Sequence, residues 1–556
     1  MKAPVTSGCE RGLIVLELVF TQHDCSRKTL RLRMFFRVIP TPERVATNGM
    51  VASVNHLASE AGVAMLRAGG SAADAAIAAN AVLAVTDQHL CGMGGDLFAI
   101  VSTGGTPAVL NASGRAGSGA SAQQLRDEGH TVMPFRDDIR SVTVPGCVDG
   151  WAALHKRFGR LPLADILAPA ASLADEGFVP SYTGAMTRQF MSRLPGGDDY
   201  TGDSQTMRRP VVATTLRAIG TDGRDAFYGG AFGDGLLALG DGLYAKDDLA
   251  ESQATWVEPV GVDAFGHRVW GAPPNSQAYL ALAATWIADG LDLPDDPNDP
   301  RWAHLLVEAS RQAAFDRLEF LHEHADAQAF LDTALTDRRA AIDLHSAATL
   351  GDSYRGGGTM CLSAVDSDRM GVTLIQSNAS AWGSNLVEPN TRIFLHNRGT
   401  GFSLEPGHPA EFAPGRRPPH TLSPLMVTNP DGSLRMSIGT MGGDSQPQIL
   451  LQLLVRMLRH GERAERAVAD GRFVLASQDV PSTGFDTWAH RGRVKVRVEA
   501  NAPAAWVDGL RQRGHVVEEA NAFDAGFGHA HVVDVDGDAL VGGADPRSRS
   551  GSASGY

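Results

Sequence analysis

The stretch Ser71–Val85 (SAADAAIAANAVLAV) constrains the fold more than any other part of the chain. Asp74 stands three residues after Ser71, in the capping-box position, so the segment starts as a helix. Its small apolar residues then fall on nearly every face, and such a helix has to be covered all round. A chain of 556 residues can provide that cover without disulfide staples.

The neighbouring pattern is also helical. ASEAGVAMLRA reads as a helix capped by Ser59 and stopped at Gly69–Gly70. CGMGGDLFAIV (91–101) reads as a glycine turn feeding a strand. Helical patterns follow at 149–158, 163–176, 205–219, 278–290 and 301–323, so the middle of the chain is expected to be mostly α. The C-terminal third reads differently. Thr359–Asp366 and Gly371–Ser377 look like paired strands, and Leu422–Asn429 and Ser433–Gly439 flank the turn residues PDG. A helix follows from Pro447 to about His460, with further strands expected at 493–498, 528–535 and 538–542. Helices followed by paired strands predict sheets covered by helices.

Lys and Arg number 49 against 63 Asp and Glu, a net −14, which disfavours nucleic acid and anionic membrane as partners. The five cysteines are scattered and form no CxxC, which fits a reducing compartment and offers neither a disulfide framework nor a zinc motif. Residues 1–44 carry eight Lys/Arg against four Asp/Glu, and their longest apolar run, Leu13–Phe20, is broken by Glu17. They read as an extension or an upstream start, with folding expected from about Val45–Val51 and no export signal, hence a cytoplasmic expectation. The tail RSRSGSASGY (547–556) reads as flexible by composition. No P-loop and no GxSxG elbow occurs, and HEHAD (322–326) is not HExxH, so His322 and Glu323 are expected to be solvated side chains on a helix. No cofactor or metal is implied.

Two features carry chemistry. Gly356–Gly357–Gly358 precedes Thr359 at the start of a strand pattern. Cutting the Gly358–Thr359 bond would give Thr359 a free α-amine of pKa about 7.7–8.0, able to act as general base for its own hydroxyl. On local residues alone, this reads first as a surface loop entering a strand. Gly442–Gly443, between a strand and a helix, could aim two N–H groups at an oxyanion, or be a tight turn.

Beyond about Asn48 the chain resembles the γ-glutamyltransferase (γ-glutamyltranspeptidase) family of N-terminal nucleophile hydrolases. The resemblance rests on residues 50–87, on VTVPGCVDGWAALHKRFGRLPLADILAPA (142–170) and on PPNSQAYLAL (273–282). It continues through GGGTMCLSAVD (356–366), RRPPHTLSPLMV (416–427), GTMGGDSQPQ (439–448) and GADPRS (543–548). It implies an α+β fold, a four-layer αββα sandwich built from two chains of one precursor. A large subunit would span 45–358 and a small one 359–556, held as a heterodimer, with higher oligomers open. Thr359 would then be the nucleophile, Ser377 its support, and Gly442 and Gly443 the oxyanion hole. Arg115, in NASGRAG, would hold the substrate carboxylate.

The departures from the transpeptidase pattern are specific. Where that pattern reads the glutamyl α-amino and α-carboxylate groups with an asparagine, a glutamine, an aspartate and two serines, this chain has Ala379, Arg398, Gly401, His420 and Thr421. An ammonium loses its counter-charge and meets a cation, whereas Arg398 suits a carboxylate. This resembles the oxamate amidohydrolase and glutaryl-acylase branch, and implies an amide hydrolase acting on a small carboxylate-bearing amide. A true γ-glutamyltranspeptidase or glutathione hydrolase is the alternative. An unprocessed, inactive binding protein is a second.

Overall fold

In the computed structural model, Ala72–Thr86 is buried along its whole length, with Ser71 and Asp74 closing the expected capping box. The structure describes residues 43–201, 205–349, 359–478 and 493–556. The extension therefore lies outside the described residues except for Glu43 and Arg44, and so do Gly356, Gly357 and Gly358.

Two seven-stranded antiparallel sheets stack face to face. The first runs in the order Ser552–Gly555, Met50–Ser53, Met360–Val365, Gly371–Ser377, Asp96–Ser102, Ala108–Ala112 and Thr255–Val257. The second runs Arg44–Ala46, Ala539–Ala544, Ala530–Asp536, Leu434–Thr440, Leu425–Thr428, His267–Gly271 and Val260–Ala264. Period-two alternation explains the layering, because one face of each strand points between the sheets and the other under helices. Phe98, Ile100, Cys361, Ile375, Met426 and Val533 fill the space between the sheets. Leu97, Ala99, Leu362 and Leu374 face the other way, into a core shared with Ala72–Thr86 and its neighbours. On the far side, Ala278–Asp289 and Gln446–Leu454 cover the second sheet. The result is the four-layer αββα sandwich, and both sheets interleave strands from before and after Thr359.

Several expectations are corrected. The first helix starts at His56, not Ser59, because Asn55 precedes it and accepts the Leu57 N–H. Ser59 is buried instead and donates to the Ser552 carbonyl. The helix expected from 205 begins at Pro210, whose ring supplies a helical φ at the first turn. The helix expected over 301–323 ends at Ala314, followed by the short turn Arg317–Phe320, so His322 and Glu323 are not helical. The middle of the chain also carries strands at 255–257, 260–264 and 267–271, where no element is expected, the last two joined by a tight Phe265–Gly266 turn.

The tail is ordered as well. Ser552–Gly555 pairs with Met50–Ser53, and Arg547 is fully buried. Its guanidinium donates to Glu499 and, at 3.0 Å, to Asp545 Oδ1, and at 2.9 Å to the Val468 carbonyl. Charge neutralisation thus holds what composition alone assigns to solvent. Removing one member of a buried ion pair strands the other, so Arg547→Ala should lower unfolding free energy by about 3–5 kcal/mol in a urea titration.

Candidate active site

Three strands of the first sheet meet at one level. Met360 pairs with Gln376 and Asp96 pairs with Ser377, which puts Thr359, Ser377 and Asp96 side by side on the face between the sheets. All three are fully buried. The Thr359 hydroxyl donates to Ser377 Oγ at 3.3 Å, and that oxygen also accepts the Ala379 N–H at 2.8 Å. Arg398 Nη2 donates to the same Ser377 oxygen at 3.2 Å, while Nη1 donates to Thr421 Oγ1 at 3.2 Å. A guanidinium therefore stands two hydrogen bonds from the Thr359 hydroxyl.

Behind Arg398 lies a carboxylate that the motif reading did not single out. Asp96 Oδ1 accepts the Gly114 N–H at 3.0 Å, and Oδ2 lies 3.1 Å from His420 Nε2 and 3.8 Å from His396 Nδ1. The Leu422 N–H points at His420 Nδ1, so His420 carries its proton on Nε2 and gives it to Asp96. His396 takes the Arg398 N–H on Nδ1 and donates from Nε2 to the Thr143 carbonyl. Burial pushes the His420 imidazole down to about 3, reinforced by Arg398. Burial also lowers His396, and it brings Arg398 to about 10, leaving the guanidinium charged at neutral pH. Burial alone would raise Asp96; the hydrogen bond from His420 and the Arg398 charge hold it below the usual carboxylate range.

Gly442 and Gly443 follow the strand Leu434–Thr440 with φ of 145° and 58°, a path open to glycine. Among the described residues neither N–H is engaged in a hydrogen bond. Gln277 ties this turn to the Arg398 cluster, donating at 2.9 Å to both the Thr421 and the Gly443 carbonyls. The adjacent Asp444 is held by Arg317 at 2.6 Å. A threonine hydroxyl two hydrogen bonds from a buried cation, and a glycine turn with unengaged N–H groups tied to the same cluster through Gln277, are parts suited to acyl transfer.

Thr359, Ser377, Arg398 and Thr421 thus form one hydrogen-bonded chain, with His420 joined through Asp96 and the glycine turn through Gln277. Arg115 is the outlier. Only its neighbour Gly114 touches Asp96, and its own Nη1 donates to the Gly415 carbonyl at 3.2 Å, 3.9 Å from Glu323. Glu323, expected in solvent, is half-buried and accepts the Arg417 N–H at 3.1 Å. Ala379 and Gly401 are buried without polar side chains. The sequence signal for Asp96 is a lone acid between a glycine turn and a wholly apolar strand.

The γ-glutamyltranspeptidase family model matches residues 58–556. The chain belongs to the γ-glutamyltranspeptidase family. Among its relatives are the glutathione hydrolase-like YwrD proenzyme of Bacillus subtilis and the oxamate amidohydrolase proenzyme of Klebsiella pneumoniae, each 34% identical. They cover 90% and 92% of this chain and 98% and 99% of their own lengths. The crystal structure of a cephalosporin acylase from Bacillus halodurans superposes with a TM-score of 0.84 at 31% identity, over 94% of this chain and 99% of that one. The protein is thus an N-terminal nucleophile hydrolase of the γ-glutamyltranspeptidase family, and these curated relatives are proenzymes. No helix among the described residues is long and apolar enough to cross a membrane.

The electrostatics of this family member give a pH prediction. His420 and His531 are buried at pKa about 3, and His529 at about 4, with burial the main cause in each. An unfolded histidine titrates near 6.5, so from about pH 6.5 down to about 3 the unfolded chain binds protons that the native one refuses. Stability therefore falls as pH falls through that window, and below about 3.8 protonation of unfolded Asp96 adds to the loss. Urea midpoints should drop steadily between about pH 7 and about pH 4, with a shallower drop in His420→Gln; a flat profile would contradict the neutral assignment.

Proposed function

We propose that this family member is an autoprocessed amide hydrolase that cleaves a small carboxylate-bearing amide through a Thr359 acyl-enzyme. The Thr359–Ser377–Arg398 chain of hydrogen bonds carries the proposal, because it sets a charged guanidinium within a few ångströms of the nucleophilic oxygen. A cation there favours a donor whose carboxylate lies only a few bonds from the scissile carbonyl and repels an α-ammonium. The likeness to an oxamate amidohydrolase proenzyme supports the same choice.

Cleavage at Gly358–Thr359 converts the Thr359 nitrogen from an amide into an amine. The amine takes the hydroxyl proton as the oxygen attacks the amide carbon. The N–H groups of Gly442 and Gly443 receive the developing oxyanion, a role in which losing one donor costs on the order of 10²–10³ in rate. The amine returns its proton to the leaving nitrogen, and water releases the acid by the same steps. Ser377 keeps the hydroxyl in register. Arg398, with Thr421 on its other arm, clamps the carboxylate. Asp96, with His420 and His396, fixes the attitude of Arg398 and does not itself touch substrate. Thr359 is fully buried in the intact chain, which fits a precursor whose site opens only on processing.

The glutathione hydrolase-like relative favours γ-glutamyl donors as the second reading. Against it, Gly401 offers no counter-charge to an α-ammonium.

Two experiments test the proposal. A denaturing gel of the 58.8 kDa chain should show fragments of roughly 38 and 21 kDa, the smaller beginning TMCLS, and only the intact chain in Thr359→Ala. A single band in both would overturn the processing step. With the processed enzyme, glutaryl p-nitroanilide should be hydrolysed at least tenfold faster than γ-glutamyl p-nitroanilide at subsaturating concentration, and Arg398→Gln should erase that preference mainly through KM. A preference for the γ-glutamyl compound would favour the second reading.

A further inference from the structure

A second cluster of chemically capable side chains lies away from Thr359, in the helical layer over the second sheet. The helix Pro300–Ala314 carries His304 and Glu308 one turn apart, on one face. His515, in the turn after Ala504–Gln512, comes to meet them. His304 Nδ1 lies 2.8 Å from His515 Nε2, and that nitrogen lies 3.8 Å from Glu308 Oε1. All three ligand atoms fall within 4.8 Å of one another, and all three residues are buried.

Proton assignment decides what the cluster can do. His304 Nε2 lies 2.9 Å from the Asp343 carbonyl, which can only accept, so His304 carries its proton there and Nδ1 is a lone pair aimed into the cluster. An imidazole anchored by its far N–H to a carbonyl, with its near nitrogen bare, is the usual posture of a metal-ligating histidine. Glu308 is likewise anchored at its far oxygen, where Oε2 accepts the Ala348 N–H at 3.1 Å, while Oε1, the oxygen nearer His515, also accepts from Arg311 at 3.3 Å.

We propose that His304 Nδ1, His515 Nε2 and Glu308 Oε1 form a binding site for a divalent transition metal of the zinc type. Two imidazoles and one carboxylate are the donors such ions take, with water in the fourth position. Zinc–nitrogen bonds of about 2.0–2.1 Å separate tetrahedral ligands by about 3.3 Å, so the two rings need to part by about half an ångström. His515 then carries its proton on Nδ1, and the metal replaces the hydrogen that now bridges the rings. Arg311 and Arg513 add positive charge nearby and moderate the affinity.

The site has a structural consequence. Its partners Asp343 and Ala348, together with Ala347, whose N–H donates to the Arg513 carbonyl at 2.8 Å, belong to the segment that leads toward the Gly358–Thr359 bond. A bound ion therefore clamps residues 343–348. This inference does not depend on the substrate reading.

The test uses the full chain without an affinity tag, stripped with chelator and dialysed against zinc chloride. About one zinc per chain should be retained, and cobalt substitution should give a visible d–d band. Amide exchange of residues 343–349 should slow on adding zinc. His515→Gln and Glu308→Gln should each weaken binding at least tenfold, with circular dichroism confirming the fold. If either variant fails to fold, the exchange measurement on the unaltered chain still decides. No stoichiometric zinc, equal binding in both folded variants, or unchanged exchange at 343–349 would each overturn the proposal.

Discussion

Taking a carboxylate out of water costs several kcal/mol unless donors replace the lost solvent, and Asp96 is buried where three strands meet. The Gly114 N–H and the His420 imidazole supply the donors, and Arg398 supplies the charge. Each of these groups is fixed in return. His420 is set in one tautomer, the 113–115 turn is drawn against the strand end, and Arg398 is held with its two arms on Ser377 and Thr421. The geometry around Thr359 thus follows from neutralising one acid. Charge placement and fold are the same problem here, since Asp96 and Ser377 are also ladder partners.

Much of this was legible in the residues. The buried helix at 71–85, its capping box, the strands on either side of SDRM and the PDG hairpin follow from local periodicity and turn chemistry, and each lies close to its expected bounds. Thr359, Ser377, Arg398 and Thr421 were singled out by matching motifs, and the fold draws them into one hydrogen-bonded chain. What local pattern could not carry is long-range. Asp96 and His420 are 324 positions apart, and nothing near either announces the pairing. His304 and Glu308 show a one-turn spacing, but His515 lies 211 positions from His304 and completes the cluster only in the folded chain.

The misread segments share a cause. Composition marks RSRSGSASGY as solvent-loving, yet Arg547 finds Glu499 and Asp545 in the interior, and the small residues after it suit an edge strand that must pack closely. Glycines at such positions serve close approach: a Cβ on Gly542 would meet the Met50 sulfur at 2.4 Å, and one on Gly439 would meet the Cys361 sulfur at 2.1 Å. Sequence composition describes a segment's average taste for water, and a tertiary partner can reverse it.

The interleaving of strands has a wider meaning. Met50–Ser53 lies between two strands drawn from beyond Thr359, and Leu425–Thr428 lies between one strand from each side. Neither stretch of polypeptide owns a whole sheet, so neither has a hydrophobic interior to retreat to. A break in the covalent chain before Thr359 would leave one cooperative body stitched from two threads. Its halves could not be exchanged, stored or degraded one at a time, and damage to either would be felt as the unfolding of both.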